Sequence, residues 1–182
     1  MRRSGTAGWW TRWRRDRRGA SAVEFALVVP VLVAIYIGGL ETAQGVGIYR
    51  KVTDTTVELA NVTAQYTTMS ATDVANVMNG SAQIMAPYPT SGLSIILAEI
   101  TTDANSAAKV TWSQSYNGAV ALTPGSTVTL PSGMASPSSN YIFVKTAYAY
   151  VPPITYGIAG SIPIGDQIYM RPRQSPSIPY TG

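Results

Sequence analysis

Between Gly19 and Gly39 the chain reads Gly-Ala-Ser-Ala-Val-Glu-Phe-Ala-Leu-Val-Val-Pro-Val-Leu-Val-Ala-Ile-Tyr-Ile-Gly-Gly, and Glu24 is the single charged residue in the run. A run of this length matches the roughly 20 apolar residues that a membrane-spanning helix needs. An arginine-rich leader precedes it, and everything able to fold in water follows it. A lone carboxylate near the start of such a span is costly to desolvate and marks a functional position by default. The plainer reading is a glutamate within snorkelling reach of the lipid headgroups. Pro30, inside the run, removes one backbone hydrogen bond and tends to kink a helix, which membrane helices tolerate. Gly38 and Gly39 permit either close helix packing or local unwinding.

Charge is distributed in a way that the overall pI conceals. Seven of the 13 basic residues, Arg2, Arg3, Arg12, Arg14, Arg15, Arg17 and Arg18, precede Gly19, against Asp16 alone. From Ala20 onward six basic residues face eight acidic ones. The folded part therefore has no basic face of the kind that nucleic-acid binding requires. The positive-inside rule holds an arginine-rich N-terminus in the cytoplasm and sends the residues after the span to the other side. Trp9, Trp10 and Trp13 among the arginines suit a headgroup surface, or else belong to an unstructured leader. The chain contains no His and no Cys, which removes the usual general base, thiol nucleophiles and nearly all zinc or haem ligation.

The polarity of the leader is unusual. A secretory signal ends its apolar region in a small-x-small cleavage site on the far side. Here the small residues Gly19-Ala20-Ser21-Ala22 sit on the near side, directly after Arg17-Arg18. A peptidase cutting there would leave the apolar helix on the mature protein.

The string Arg17-Arg18-Gly19, then Ala20 to Val23, then Glu24-Phe25, resembles a type IV prepilin signal, and the longer run to Glu41 is similar to TadE-like minor pseudopilins of tight-adherence (Tad/Flp) pilus systems. The C-terminal strings Tyr141 to Ile154 and Asp166 to Arg173 are also similar to the closing strand pair of that family. The resemblance implies Gly19 as the last leader residue, Ala20 as the new N-terminus, and Glu24, with Phe25, as the assembly position. A freed Ala20 ammonium and a Glu24 carboxylate on packed neighbouring spans can pair, offsetting the desolvation of both and fixing axial register.

Beyond the span, Ile48, Val52, Thr55, Leu59, Val62, Tyr66 and Met69 recur at alternating steps of four and three, with Arg50, Lys51, Asp54 and Glu58 off the stripe. The spacing predicts that the helix continues over 41–69. Its stripe is expected against this domain's own sheet in preference to an intermolecular coiled coil. Ser70 with Asp73 three residues on predicts a capped second helix to about Met85, with Val74, Val77, Met78 and Met85 inward. Strands are expected at Leu93–Thr101, Lys109–Tyr116 with Val110, Trp112 and Tyr116 on one face, Tyr141–Val151 as a central strand, and Gln167–Arg171 antiparallel to it. A short strand at Thr127–Leu130 lies in an otherwise Pro/Gly/Ser-rich loop, and a flexible tail follows Pro172. The tyrosines at 148, 150, 156, 169 and 180 are read as sheet packing before interface. The fold class is α+β: leader 1–19, span 20–40, helix extension 41–69, and a head over 70–182 whose layout is similar to pilins.

Glu99 and Asp103 are the one pairing that hints at carboxylate chemistry, and both are expected as solvated loop acids. No phosphate loop, catalytic set, metal site or cofactor site is indicated, so the chain is expected not to be an enzyme and to have no small-molecule substrate. The resemblance implies a prepilin peptidase, a major pilin, a sister pseudopilin and an inner-membrane assembly platform as partners. The alternative is an uncleaved, signal-anchored periplasmic binding or adhesin domain.

Overall fold

The computed structural model describes residues 19–182. The leader expected over 1–19 therefore lies outside the described residues up to position 18. The chain divides into two compact units between Ala43 and Gln44, and each is taken by itself.

Helix α1, Ala20–Thr63, supplies the first unit and the start of the second. Over residues 20–40 its apolar side chains are turned outward on every face: Phe25 and Leu27 are 70 % exposed and Tyr36 is 71 % exposed. Pro30 lies inside the helix, where its missing N–H leaves the Ala26 carbonyl without a helical donor.

The second unit is a five-stranded antiparallel sheet with a layer on each face. After α1 come α2, Ala71–Ala82, and two short 3-10 turns, Gln83–Met85 and Thr90–Gly92. The strands are β1, Leu93–Thr102; β2, Ala108–Tyr116; β3, Thr127–Val128; β4, Asn140–Tyr150; and β5, Ile162–Met170, the last preceded by a single helical turn, α3, Tyr156–Ala159. They pair in the order β3-β2-β1-β4-β5. The expected central position of the Tyr141 strand holds, since β4 lies between β1 and β5.

The stripe on α1 packs where the spacing placed it. Ile48, Val52 and Leu59 join Leu93, Ile95, Leu97, Ile142 and Val144 in one core cluster. Thr55, the weak member of the stripe, is fully buried, and its Oγ1 donates to the Lys51 carbonyl at 2.8 Å. That back-bond within the helix satisfies a hydroxyl that would otherwise be stranded in apolar surroundings. Helix α2 closes the same face with Val74, Val77, Met78 and, just beyond its end, Met85. Its start is the expected capping box: the Asp73 N–H donates to Ser70 Oγ at 3.2 Å, and the Ser70 N–H donates to Asp73 Oδ2 at 2.9 Å. The Ser70 hydroxyl also donates to Asp73 Oδ2 at 2.6 Å, and this bond, with that of the Ser70 N–H, holds the Asp73 carboxyl below its ordinary range.

The opposite face of the sheet carries a second cluster, Ala98, Ile100, Ala108, Tyr141 and Phe143, covered by Leu122, Val128, Leu130 and Met134 from the loop that contains β3. The single-face alternation expected for β2 does not hold. Glu99 pairs with Trp112 but Ile100 pairs with Val110, so a bulge at Thr111 reverses the facing. Trp112 and Tyr116 look toward the helices, whereas Ala108 belongs to the loop-covered cluster.

Three expectations need correction. First, α1 ends at Thr63 rather than at 69. The bonds from Gln65 N to the Val62 carbonyl and from Tyr66 N to the Thr63 carbonyl tighten the last turn, and the Arg173 N–H takes the Ala64 carbonyl at 2.9 Å. Second, the segment after Pro172 is not a free tail but a strap bound across the head. Met69 and Tyr180 form a parallel bridge, Ile178 is fully buried, and the Tyr180 ring stacks on Trp112 with centroids 5.6 Å apart. Third, Glu99 is no solvated acid: it is 1 % exposed. Its Oε1 accepts the Ile178 N–H at 2.8 Å and its Oε2 accepts the Trp112 Nε1–H at 3.1 Å, while the same Nε1–H also reaches the Ile178 carbonyl at 2.8 Å. Burial pushes the Glu99 carboxyl above its ordinary range, against the pull of these two donors.

The tyrosines are packing residues in four of the five positions. Tyr148 and Tyr150 belong to the helix-side core, Tyr169 lies 4.8 Å from Phe143 by ring centroids, and Tyr180 stacks as described. The side chain of Tyr156 lies outside the described ones.

Candidate functional site

The residues singled out for processing and assembly sit at the very start of α1. Gly19 is exposed, with no neighbour within 4 Å of where a Cβ would stand. Ala20 is the first residue of the helix, and Glu24 and Phe25 lie in its second turn. Ala20 and Glu24 are four residues apart and so share one face, about 6 Å apart along the axis at 1.5 Å per residue. Phe25 points about 100° further round the helix axis.

Electrostatics at this end is spare. The first helical turn holds no acidic residue, so the partial positive charge of the amide end acts on Glu24 only weakly, since it fades beyond the first turn. From Ala20 through Leu40 no basic residue accompanies the carboxylate. A Glu24 surrounded by apolar material would need a discrete cation from elsewhere, either at the helix start or on a second helix.

The apolar side chains around it define what the segment can do. Val23, Phe25, Leu27, Val31, Leu32, Ile35 and Tyr36 are all more than half exposed. An outward apolar surface of this extent marks a membrane or protein contact. The helix is long and apolar enough to cross a membrane, and as a single N-terminal span it is consistent with a one-pass membrane anchor.

Residues 19–61 match the TadE-like protein family. The match opens at Gly19 and stops two residues short of the end of α1, so the TadE-like segment is the helix itself, span and head-packing stripe together. It meets the resemblance read from the Gly19–Phe25 motif. No curated protein and no solved structure matches the chain.

The head adds two features that no sequence motif flagged. One is the clasp of Glu99, Trp112 and Ile178. Its signal lay in strand parity: Leu93, Ile95, Leu97 and Glu99 fall on alternate positions, and the first three are plainly core residues. The other is an open cleft of about 460 Å³ lined by Gln44, Ile48, Tyr88, Pro89, Tyr148 and Tyr150, among others. It could not be read from sequence because its walls come from three separate segments. Gly47 is fitted to this region, since a Cβ there would stand 2.8 Å from the Tyr88 hydroxyl. Among the described residues no group of three or more acidic side chains is placed to hold a metal ion.

Proposed function

We propose that this protein is a minor pseudopilin that is cleaved after Gly19 by a prepilin peptidase and then acts in assembly of a tight-adherence pilus for surface attachment. The observation that carries the reading is the TadE-like match, which begins at the residue preceding the proposed cut. The exposed position of Gly19 and its freedom from neighbours support access for a peptidase.

Cleavage would create an ammonium on Ala20. Within its own chain that group lies one turn from Glu24, and in a bundle it also reaches the Glu24 of an adjacent span. The ion pair offsets the desolvation of both charges and ties one helix to a fixed height against the next. Phe25, 70 % exposed, supplies apolar surface to the same contact. The partners are then the peptidase, a major pilin, a sister pseudopilin and the inner-membrane platform, with the N-terminus cytoplasmic and the head periplasmic. The role is mechanical and not catalytic: the span packs and can be drawn from the bilayer, and the head offers a contact surface.

The deciding experiment is the intact mass of the membrane-extracted protein from cells with and without the peptidase. A chain starting at Ala20 only when the peptidase is present is expected. That product retains Trp112 alone of the four tryptophans, so its absorbance reports the cut independently. A leader retained in both strains refutes processing and leaves a signal-anchored domain.

A further inference from the structure

The strand order β3-β2-β1-β4-β5 leaves β5, Ile162–Met170, at the outer margin of the sheet. At the other margin β3 is only two residues long, too short to invite a neighbour. A strand of nine residues with an open backbone edge is a template for pairing with another chain. Ile162, Ile164, Ile168 and Tyr169 favour extended structure, and Asp166 is the single charged residue of the strand. A second copy of this chain brings a matching edge. The edge therefore needs a device that keeps such a copy away.

Which backbone groups face outward follows from the pairing on the inner side. The Thr146 carbonyl points toward β5, since a Cβ on Gly165 would stand 3.1 Å from it. The Ala147 carbonyl points the other way and accepts from the Ser94 hydroxyl of β1 at 3.4 Å. Even-numbered residues of β4 thus bond β5. In the register Thr146 with Asp166 and Val144 with Ile168, the even-numbered residues of β5 bond back. Pro163, Gly165, Gln167 and Tyr169 then turn their backbone groups to the open edge. Two of these four positions offer no free donor. Pro163 has no N–H, and the Gln167 N–H donates to Asp166 Oδ1 at 2.8 Å.

We infer that Pro163 and Asp166 close the outer edge of β5 against strand addition by a second copy of the chain. Antiparallel self-pairing over the whole of Ile162–Met170 would set Pro163 opposite Tyr169, Gly165 opposite Gln167, and the two Asp166 carboxylates opposite each other. Half of the donors that the new ladder requires are then missing or already bonded. Like charges directly opposite destabilise the pair further. Slipping the register by one residue on each copy separates the carboxylates but still calls on the Gln167 N–H. Asp166 thus acts twice, by occupying its neighbour's N–H and by repelling its own counterpart. Contacts between heads are left to other faces of the molecule. This inference needs neither a membrane span nor cleavage at Gly19.

Amide hydrogen exchange of the detergent-solubilised full chain, read by mass spectrometry at low and at high protein concentration, tests the closure. The readout is β5 itself, so association through α1 does not enter it. In the wild type the 162–170 segment is expected to exchange at the same rate at both concentrations. Pro163→Val with Asp166→Thr restores one donor, frees another and removes the charge. The outward amides of this double variant are expected to slow at least about fivefold at the high concentration, as they become hydrogen-bonded. Protection of β1 reports that the head is folded, and if the double variant loses it, Asp166→Thr alone is read in its place. A folded variant whose 162–170 segment exchanges like the wild type at both concentrations overturns the inference. Wild-type protein that itself slows in this segment on concentration overturns it too, as does slowing of the variant confined to other segments.

Discussion

Replacing Glu99 isolates the energetics of the strap. In Glu99→Ala the Ile178 N–H loses its acceptor among the described residues at a fully buried position, whereas the Trp112 Nε1–H keeps the Ile178 carbonyl at 2.8 Å. One orphaned buried donor costs about 1–3 kcal/mol. For a unit the size of Gln44–Gly182, 2 kcal/mol corresponds to a fall in Tm of roughly 6–10 °C. Glu99→Gln keeps an acceptor for one donor and is expected to stay within about 1 kcal/mol of the wild type. The pair also separates by pH. Burial raises the Glu99 carboxyl in the folded state, so the folded state holds that proton more tightly than the unfolded chain does. Its contribution is complete below the unfolded value of about 4.3 and is lost as pH rises through the raised folded value. Glu99→Gln has no such decline. The advantage of the glutamine variant over wild type should therefore grow from pH 4 upward and level off once Glu99 is ionised. Melts of the detergent-solubilised full chain, with Trp9, Trp10 and Trp13 replaced by Phe, follow Trp112 directly. Trypsin gives a second readout, because Arg173 is cleavable whereas Arg171 precedes a proline. Loosening of the strap in Glu99→Ala should accelerate loss of the Gln174–Gly182 peptide. An alanine variant that melts with the wild type and is cut at the same rate would refute the clasp. A glutamine variant whose relative stability shrinks with rising pH would refute the sign assigned to burial.

Four further outcomes follow from single positions. Glu24→Ala should insert into membranes at wild-type levels yet fail to enter assemblies, as read by co-purification with the major pilin; normal incorporation would sink the registry argument. Gly165→Ala places a Cβ 3.1 Å from the Thr146 carbonyl of the paired strand, and this overpacking should cost about 1–3 kcal/mol in thermal melts. Thr146 has a buried hydroxyl with no acceptor among the described residues, so Thr146→Val should leave the head as stable or raise it by up to about 1 kcal/mol. Ser70→Ala removes a capping side chain and should cost about 1 kcal/mol, measured by denaturant unfolding.

The features legible in sequence were those set by local periodicity. The α1 stripe from Ile48 to Leu59, the Ser70–Asp73 cap and the apolar β4 all follow from repeats of 3.6 or 2 or from a three-residue spacing. What escaped was decided by long-range partners. Nothing near Thr63 in the chain announces the helix end, because the donor that takes the Ala64 carbonyl belongs to Arg173. The strap resembles a tail by its prolines and serines, yet Ile178 is core because Trp112 and Glu99 wait for it. Residue type argues for a solvated Glu99, whereas its parity with Leu93, Ile95 and Leu97 places it inward. The bulge at Thr111 is invisible to alternation, since it breaks the pattern that would be used to find it. At the processing and assembly end the motif was readable because it is local: Gly19, Ala20, Glu24 and Phe25 fall within seven residues.

The strap has a consequence for synthesis. Its bonds join Glu99 to Ile178 across 79 positions, and the Arg173 N–H to the end of a helix that began to emerge far earlier. The ribosome must therefore release residue 178 before the Trp112 indole and the Glu99 carboxyl, which bond each other, gain their second partner. Until then Glu99 lacks one of its two donors and the face that Ile178 covers stays open, the kind of transiently exposed apolar surface that makes an incomplete domain prone to association. Closure is a late, long-loop event, and contacts of such sequence separation form slowly. The strap can lock the head only after residues 173–181 have emerged.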